Sequence, residues 1–106
     1  MLVVTSESIA GKRIVRALGL VQGNTVRARN IARDIAALLR ALIGGEIPEY
    51  VKLMAEAREQ SIVRMTEAAE DLGANAVIAA RFTTSTVMQG SAELLATGTA
   101  VIAEDE

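Results

Sequence analysis

Residues 76–87 read AVIAARFTTSTV and residues 92–103 read AELLATGTAVIA, with Met88-Gln89-Gly90-Ser91 between them. Two runs rich in β-branched and small apolar residues around a four-residue connection predict a β-hairpin. Ala76-Val77-Ile78-Ala79-Ala80 is apolar on both faces of a strand. In the second run Leu94, Ala96, Ala100 and Ile102 fall on one side and Leu95 and Val101 on the other. A sheet face open to water alternates with polar residues, so both faces of this hairpin are expected to be covered. One helix on each face of a monomer would cover them, and so would neighbouring subunits. Hairpins do not force helices onto opposite faces, which favours subunits.

Upstream of the hairpin, Gly73 closes a helical segment that opens at Pro48. Proline fits a first helical turn, where its missing N–H costs nothing. Glu46 and Glu49 complement the positive end of that helix. Its expected apolar stripe runs Val51, Met54, Arg58, Ile62, Met65, Ala69 and Leu72. A further helix is expected before it. Asn30 is a candidate N-cap, and Ile31, Ile35, Leu38, Leu39, Leu42 and Ile43 recur at helical spacing until Gly44-Gly45.

The first third of the chain is β-like. Leu2 to Thr5 reads as a short strand, Ser6 to Lys12 as a connection, and Arg13 to Arg29 as a punctuated strand. Gly19 and Gly23 mark places where that strand bends, bulges or is approached by another backbone. Gly23-Asn24 is alternatively a hairpin turn that splits the segment. The order β-β-α-α-β-β predicts an α+β fold, an antiparallel sheet packed against helices, in one domain over residues 1–106.

Composition excludes more chemistry than it suggests. The 106 residues include no Cys and no His. That removes disulfides, thiolate and imidazole metal ligands, the cysteine nucleophile and the commonest general base. Leu2-Val3-Val4 is too short for a signal peptide, and no uncharged run approaches a membrane span, so a cytoplasmic location without membrane partners is expected. Charge divides unevenly: residues 1–45 carry net +5 and residues 46–106 net −7.

Each candidate site meets a plainer alternative. Gly11-Lys12 is followed by Arg13, and Ser6 stands where a phosphate loop has its first glycine, so this is no P-loop. Gly19 and Gly23 do not form a dinucleotide fingerprint. Arg13, Arg16, Arg27, Arg29, Arg33 and Arg40 form a basic series, but the net charge is −2 and no aromatic residues interleave to stack bases. No nucleic-acid partner is therefore expected. Glu46 with Glu49, Glu67 with Glu70 and Asp71, and the tail Glu104-Asp105-Glu106 read as helix-terminal or solvated acids. Arg58 stands on the expected apolar stripe. It either lays its stem over apolar surface and reaches water, or holds a buried acceptor as an anion-binding or subunit-pairing group. Tyr50 reads as a packing residue with its hydroxyl at the surface.

Several local patterns recur in one order along the chain: Gly19-Leu20-Val21-Gln22-Gly23, Asn30-Ile31-Ala32-Arg33-Asp34, Gly44-Gly45-Glu46, Tyr50 and Ala57-Arg58-Glu59. Gly73-Ala74-Asn75-Ala76-Val77 and Gly98-Thr99-Ala100-Val101 follow. In this the chain resembles the YbjQ family, whose label names heavy-metal binding. The resemblance implies a curved antiparallel sheet around a long helix, assembled as a ring and as a homopentamer. It supplies no activity. The metal label fits poorly, because heavy soft cations prefer thiolate and imidazole and only oxygen ligands remain here. No metal residue, catalytic residue or cofactor is identified.

The functional expectation is a non-enzymatic, oligomer-forming scaffold or small-ligand-binding protein. Arg58, Tyr50, Asn30, Gly19 and Gly23 are its ligand or subunit-interface candidates. The alternatives are an oxygen-ligand metal-binding module and an enzyme built on Lys12, Lys52, Tyr50 or carboxylates.

Overall fold

A computed structural model describes residues 1–28, 48–88 and 91–106. The elements are β1 (Leu2–Val3), β2 (Lys12–Ala28), α1 (Pro48–Asp71), β3 (Ala76–Met88) and β4 (Ser91–Asp105). The expected helix over residues 31–43, Asn30 as its cap, and the hairpin residues Gln89 and Gly90 lie outside the described residues.

The four strands form one sheet in the order β1-β3-β4-β2. β4 pairs antiparallel with β3 on one side and β2 on the other. β1 instead runs parallel to β3, with Leu2 opposite Ala76 and Val3 opposite Val77. The sheet is therefore mixed, which corrects the antiparallel expectation. The physical reason lies in the connection. β1 and β2 sit on opposite sides of the β3-β4 pair, so the chain between them crosses the sheet instead of turning back as a hairpin. That crossing seats Ile9 on Ala76, Val101 and Ala103, a small apolar cluster that Val4, Ile14 and Ile78 border.

β2 runs unbroken through Gly23 and Asn24, which face Ala96 and Leu95, so the alternative turn there is not formed. It is bulged instead, between Ile14 and Arg16 and between Ala17 and Gly19. β3 is irregular between Ile78 and Arg81 and between Thr86 and Met88. Extra residues on both flanks of a regular central strand bend the sheet locally. Gly19, with φ of +130°, completes its bulge in a conformation that L side chains rarely adopt. A 17-residue strand rises about 56 Å at 3.3 Å per residue, which accounts for the long axis of 54 Å against 24 and 16 Å for the others.

α1 packs on β2 and β4 and scarcely touches β3. Its buried stripe is Ala57, Ser61, Met65 and Ala69, at i, i+4, i+8 and i+12. Val21, Ala96, Ala100 and Val77 meet it from the sheet. Of the expected stripe, Met65 and Ala69 belong to this one; Met54 and Ile62 are half-buried, Arg58 and Leu72 are exposed, and the Val51 side chain lies outside the described residues. The helix is turned so that Ala57, Ser61 and Ala69, together with Met65, face the strands. Its end is a Schellman cap: Gly73, at φ +87°, donates to the Glu70 carbonyl and Ala74 to that of Ala69.

Candidate functional site

The reason for the small-residue stripe is at Gly23. A Cβ placed there would stand 2.2 Å from the Ser61 carbonyl oxygen and 2.4 Å from the Met65 nitrogen. The helix backbone thus rests directly on the strand, which is the close approach expected of this glycine. Gly98, on β4, is crowded by a side chain of the neighbouring strand, with Val77 Cγ1 2.5 Å from an ideal Cβ. The Ser61 hydroxyl lies within reach of the Ala57 carbonyl at 2.9 Å, the Thr25 hydroxyl at 3.1 Å and the Leu94 carbonyl at 3.2 Å. Ser61 and Thr25 are buried, and together they satisfy polar groups that the crossing removes from water.

Beside the crossing, an open groove runs along β2 and the last turns of α1. Leu20, Val21, Gln22, Ala68, Asp71 and Leu72 line it. Leu20 is 68% exposed and Leu72 49%. Arg64, on the same flank of α1 as Ala68 and Asp71, donates to the main-chain carbonyl of Asn24. This flank overhangs the outer edge of β2, so the Asn24 carbonyl lies on that edge. No bulge interrupts the ladder from Gly19 to Ala28. Gln22 and Leu20 therefore also direct their N–H and C=O outward, by the alternation of an antiparallel pair.

At the opposite side of the sheet, the β3 bulge holds Ala79 at φ +53°, the left-handed region. Its N–H donates to the Ser6 carbonyl at 2.9 Å, and Ala80 donates to Val4 at 3.0 Å. Arg81 donates to the carbonyls of Thr5 at 2.6 Å and Ala80 at 2.8 Å. The loop after β1 is thus tied to β3 as far as residue 81. Beyond it, Phe82 faces the same side as its partner Ala96, the α1 side, and is 47% exposed.

Of the sequence candidates, the structure brings Gly19 and Gly23 to the two ends of the groove strand. Arg58 is exposed on α1 and does not lie on its buried stripe. Tyr50 belongs to the first turn of α1, and Asn30 lies outside the described residues. Sequence reasoning missed Ala57 and Ser61, because small residues carry little hydrophobic signal, and missed the groove flank Ala68 and Leu72. Part of the charge asymmetry is absorbed within the chain: Lys12 pairs with Asp105 at 2.8 Å and Arg13 with Glu104 at 3.4 Å. The Lys12 hydrogen bond and charge hold the Asp105 carboxyl below its usual range.

Among the described residues, no three of His, Cys, Asp and Glu gather where they could hold a metal ion. No helix among them is long and apolar enough to cross a membrane.

Residues 1–104 match the YbjQ family model, described as "Putative heavy-metal-binding". A UPF0145 protein of Clostridioides difficile is 52% identical over 106 residues, covering 100% of this chain and 95% of its own. A UPF0145 protein of Halorubrum lacusprofundi is 59% identical over 96 residues, covering 91% and 92%. The fold is similar to the crystal structure of a protein of unknown function of the DUF74 family from Pediococcus pentosaceus. That match has a TM-score of 0.70 at 14% identity and covers 98% of each chain.

Proposed function

The chain belongs to the YbjQ family, and from that premise we propose that it works as a non-enzymatic homo-oligomer, a ring whose subunit boundaries hold a small ligand. The observation that carries this reading is the apolar surface left open on the sheet. α1 covers the β2-β4 face and the Ile9 loop covers the Ala76, Val101 and Ala103 end. Leu20, Val26 and Phe82 are covered by neither and are 68%, 53% and 47% exposed. The shape agrees. A compact chain of this length has a radius of gyration of about 13 Å, against 17.4 Å here. Its surface of 6930 Å² exceeds the roughly 5,700 Å² of a compact monomer of this mass. The +5 and −7 halves, joined among the described residues by the Lys12–Asp105 and Arg13–Glu104 pairs, suit a head-to-tail contact, and repeating such contacts around an axis closes a ring. The subunit number, five, comes from the family resemblance.

Light scattering coupled to size exclusion, at low micromolar protein and moderate salt, tests the assembly. A closed oligomer is expected; a mass near 11.2 kDa refutes it, and a two-fold dimer refutes the ring. Native mass spectrometry of protein purified without added metal tests the ligand. A retained small molecule supports the reading.

The family description suggests a second reading, a metal-binding module. The donor set does not fit a heavy, soft cation: the sequence has no thiol and no imidazole. Only a hard cation on oxygen ligands is compatible, and a stoichiometric metal retained in the same spectrum would place that reading first.

A further inference from the structure

The groove beside β2 has the character of a slot for one added strand, and the geometry points to its occupant: the free edge of β3 from a second copy, with Phe82 as its anchor. This rests on the homo-oligomer reading and specifies the contact. Strand addition needs outward main-chain donors and acceptors on a sheet edge, plus a pocket for alternate side chains of the incoming strand. Both are present. Leu20 and Gln22 direct their N–H and C=O away from β4. The pocket above them, on the α1 side, is walled by Val21, Ala68 and Leu72.

The slot has defined ends. On one side the bulge between Ala17 and Gly19 breaks the edge. On the other, Arg64 takes the Asn24 carbonyl, so that acceptor is already used. Natural sheets blunt their edges with bulges and positive charge; here both devices stop short of residues 19–23, whose outer edge no described strand pairs.

The occupant follows from the opposite edge of the same sheet. β1 and its loop occupy β3 only as far as Arg81. From Phe82 onward, β3 has no outer partner among the described residues. When a second copy continues the sheet with its helix on the same face, its Phe82 lies on the α1 side of the joined sheet, where the groove opens. A half-exposed ring then meets a pocket of Val, Ala and Leu side chains. The two surfaces lie on opposite edges, so the contact is heterologous and each copy retains one free slot and one free anchor until a ring closes.

The experiment uses the full chain, Phe82→Ser and Leu72→Lys. Both residues lie outside the buried core clusters, and circular-dichroism melts check that each variant folds. By light scattering, each variant is expected to assemble at least about tenfold more weakly than the natural chain, as for an interface anchor. An equimolar mixture of the two is expected to form a two-chain species that neither forms alone, because one intact slot meets one intact anchor. Amide hydrogen exchange on the natural chain needs no variant: Leu20 and Gln22 N–H are expected to be protected in the assembly. An oligomer that both variants leave intact, or one whose Leu20 and Gln22 amides exchange as solvent-exposed groups do, overturns the strand slot while sparing the oligomer reading. A monomeric natural chain overturns both.

Discussion

Two stretches of the same strand behave oppositely. At Gly23, β2 lies under a helix so close that no side chain fits between them. Three residues earlier, Leu20 stands 68% exposed beside an open groove. Both belong to the run Gly19-Leu20-Val21-Gln22-Gly23, and both are surrounded by apolar residues. The difference is which component supplies the cover. The crossing is completed by the chain's own backbone, whereas no described residue fills the groove between its walls. Apolar character alone does not distinguish a core from an interface; the space above it does.

The sharpest way to break this contrast is Gly23→Ala. The new methyl meets main-chain atoms, not the end of a flexible side chain, so α1 must move bodily. Overpacking of this kind typically costs about 1–3 kcal/mol and occasionally more; the upper end is expected in a urea melt. A loss under about 0.5 kcal/mol, the range of ordinary surface changes, would show that the crossing is loose.

Ser61→Ala tests the polar side of the crossing. It strips the buried Thr25 hydroxyl and the Leu94 carbonyl of a neighbour, and the expected cost is about 1–2 kcal/mol. A neutral result would mean that packing alone holds α1 on the strand.

Ala79→Gly acts on the opposite edge and with the opposite sign. An alanine in the left-handed region pays a steric penalty that glycine does not. Set against the greater freedom of glycine in the unfolded chain, the expected gain is about 1 kcal/mol or less. A loss instead would show that the bulge depends on the alanine methyl.

The smallest effect belongs to Asp105→Asn, at the exposed clip between strand ends. Pairing with Lys12 lowers the folded-state pKa. The carboxylate therefore stabilises the fold above its ordinary unfolded value, near 4, and that contribution disappears as pH falls through the lower folded value. The natural chain should melt slightly above the variant at neutral pH, and the two should converge in acid. An unchanged difference across that range would rule out the ion pair as its source.

The sequence disclosed strand limits better than helix orientation. Ala76, Val77 and the run from Leu94 to Ala103 announced a buried hairpin because apolar residues occupy both phases of the alternation. Gly19 and Gly23 announced a bulge and a close approach, and both are formed. The stripe of α1 was misphased because Met54 and Ile62 outweigh Ala57 and Ser61 on any hydrophobic scale, although a helix pressed onto a glycine needs small residues beneath it. The parallel β1 was illegible for another reason. Two residues carry no register, and only the Ile9 crossing reveals which edge they join. The groove was equally hidden, since Leu20, Ala68 and Leu72 meet only in three dimensions.

Lys12 opposite Asp105 joins residues 93 positions apart, and this bears on how the protein is made. β2 leaves the ribosome well before its partner β4. Until β4 emerges the longest strand has no ladder to enter, and α1 has only half its platform. Pairings this distant close slowly, because chain entropy is lost before contacts compensate. The nascent chain therefore holds an unmatched 17-residue β-segment until β4 emerges, the interval in which chaperone protection matters most.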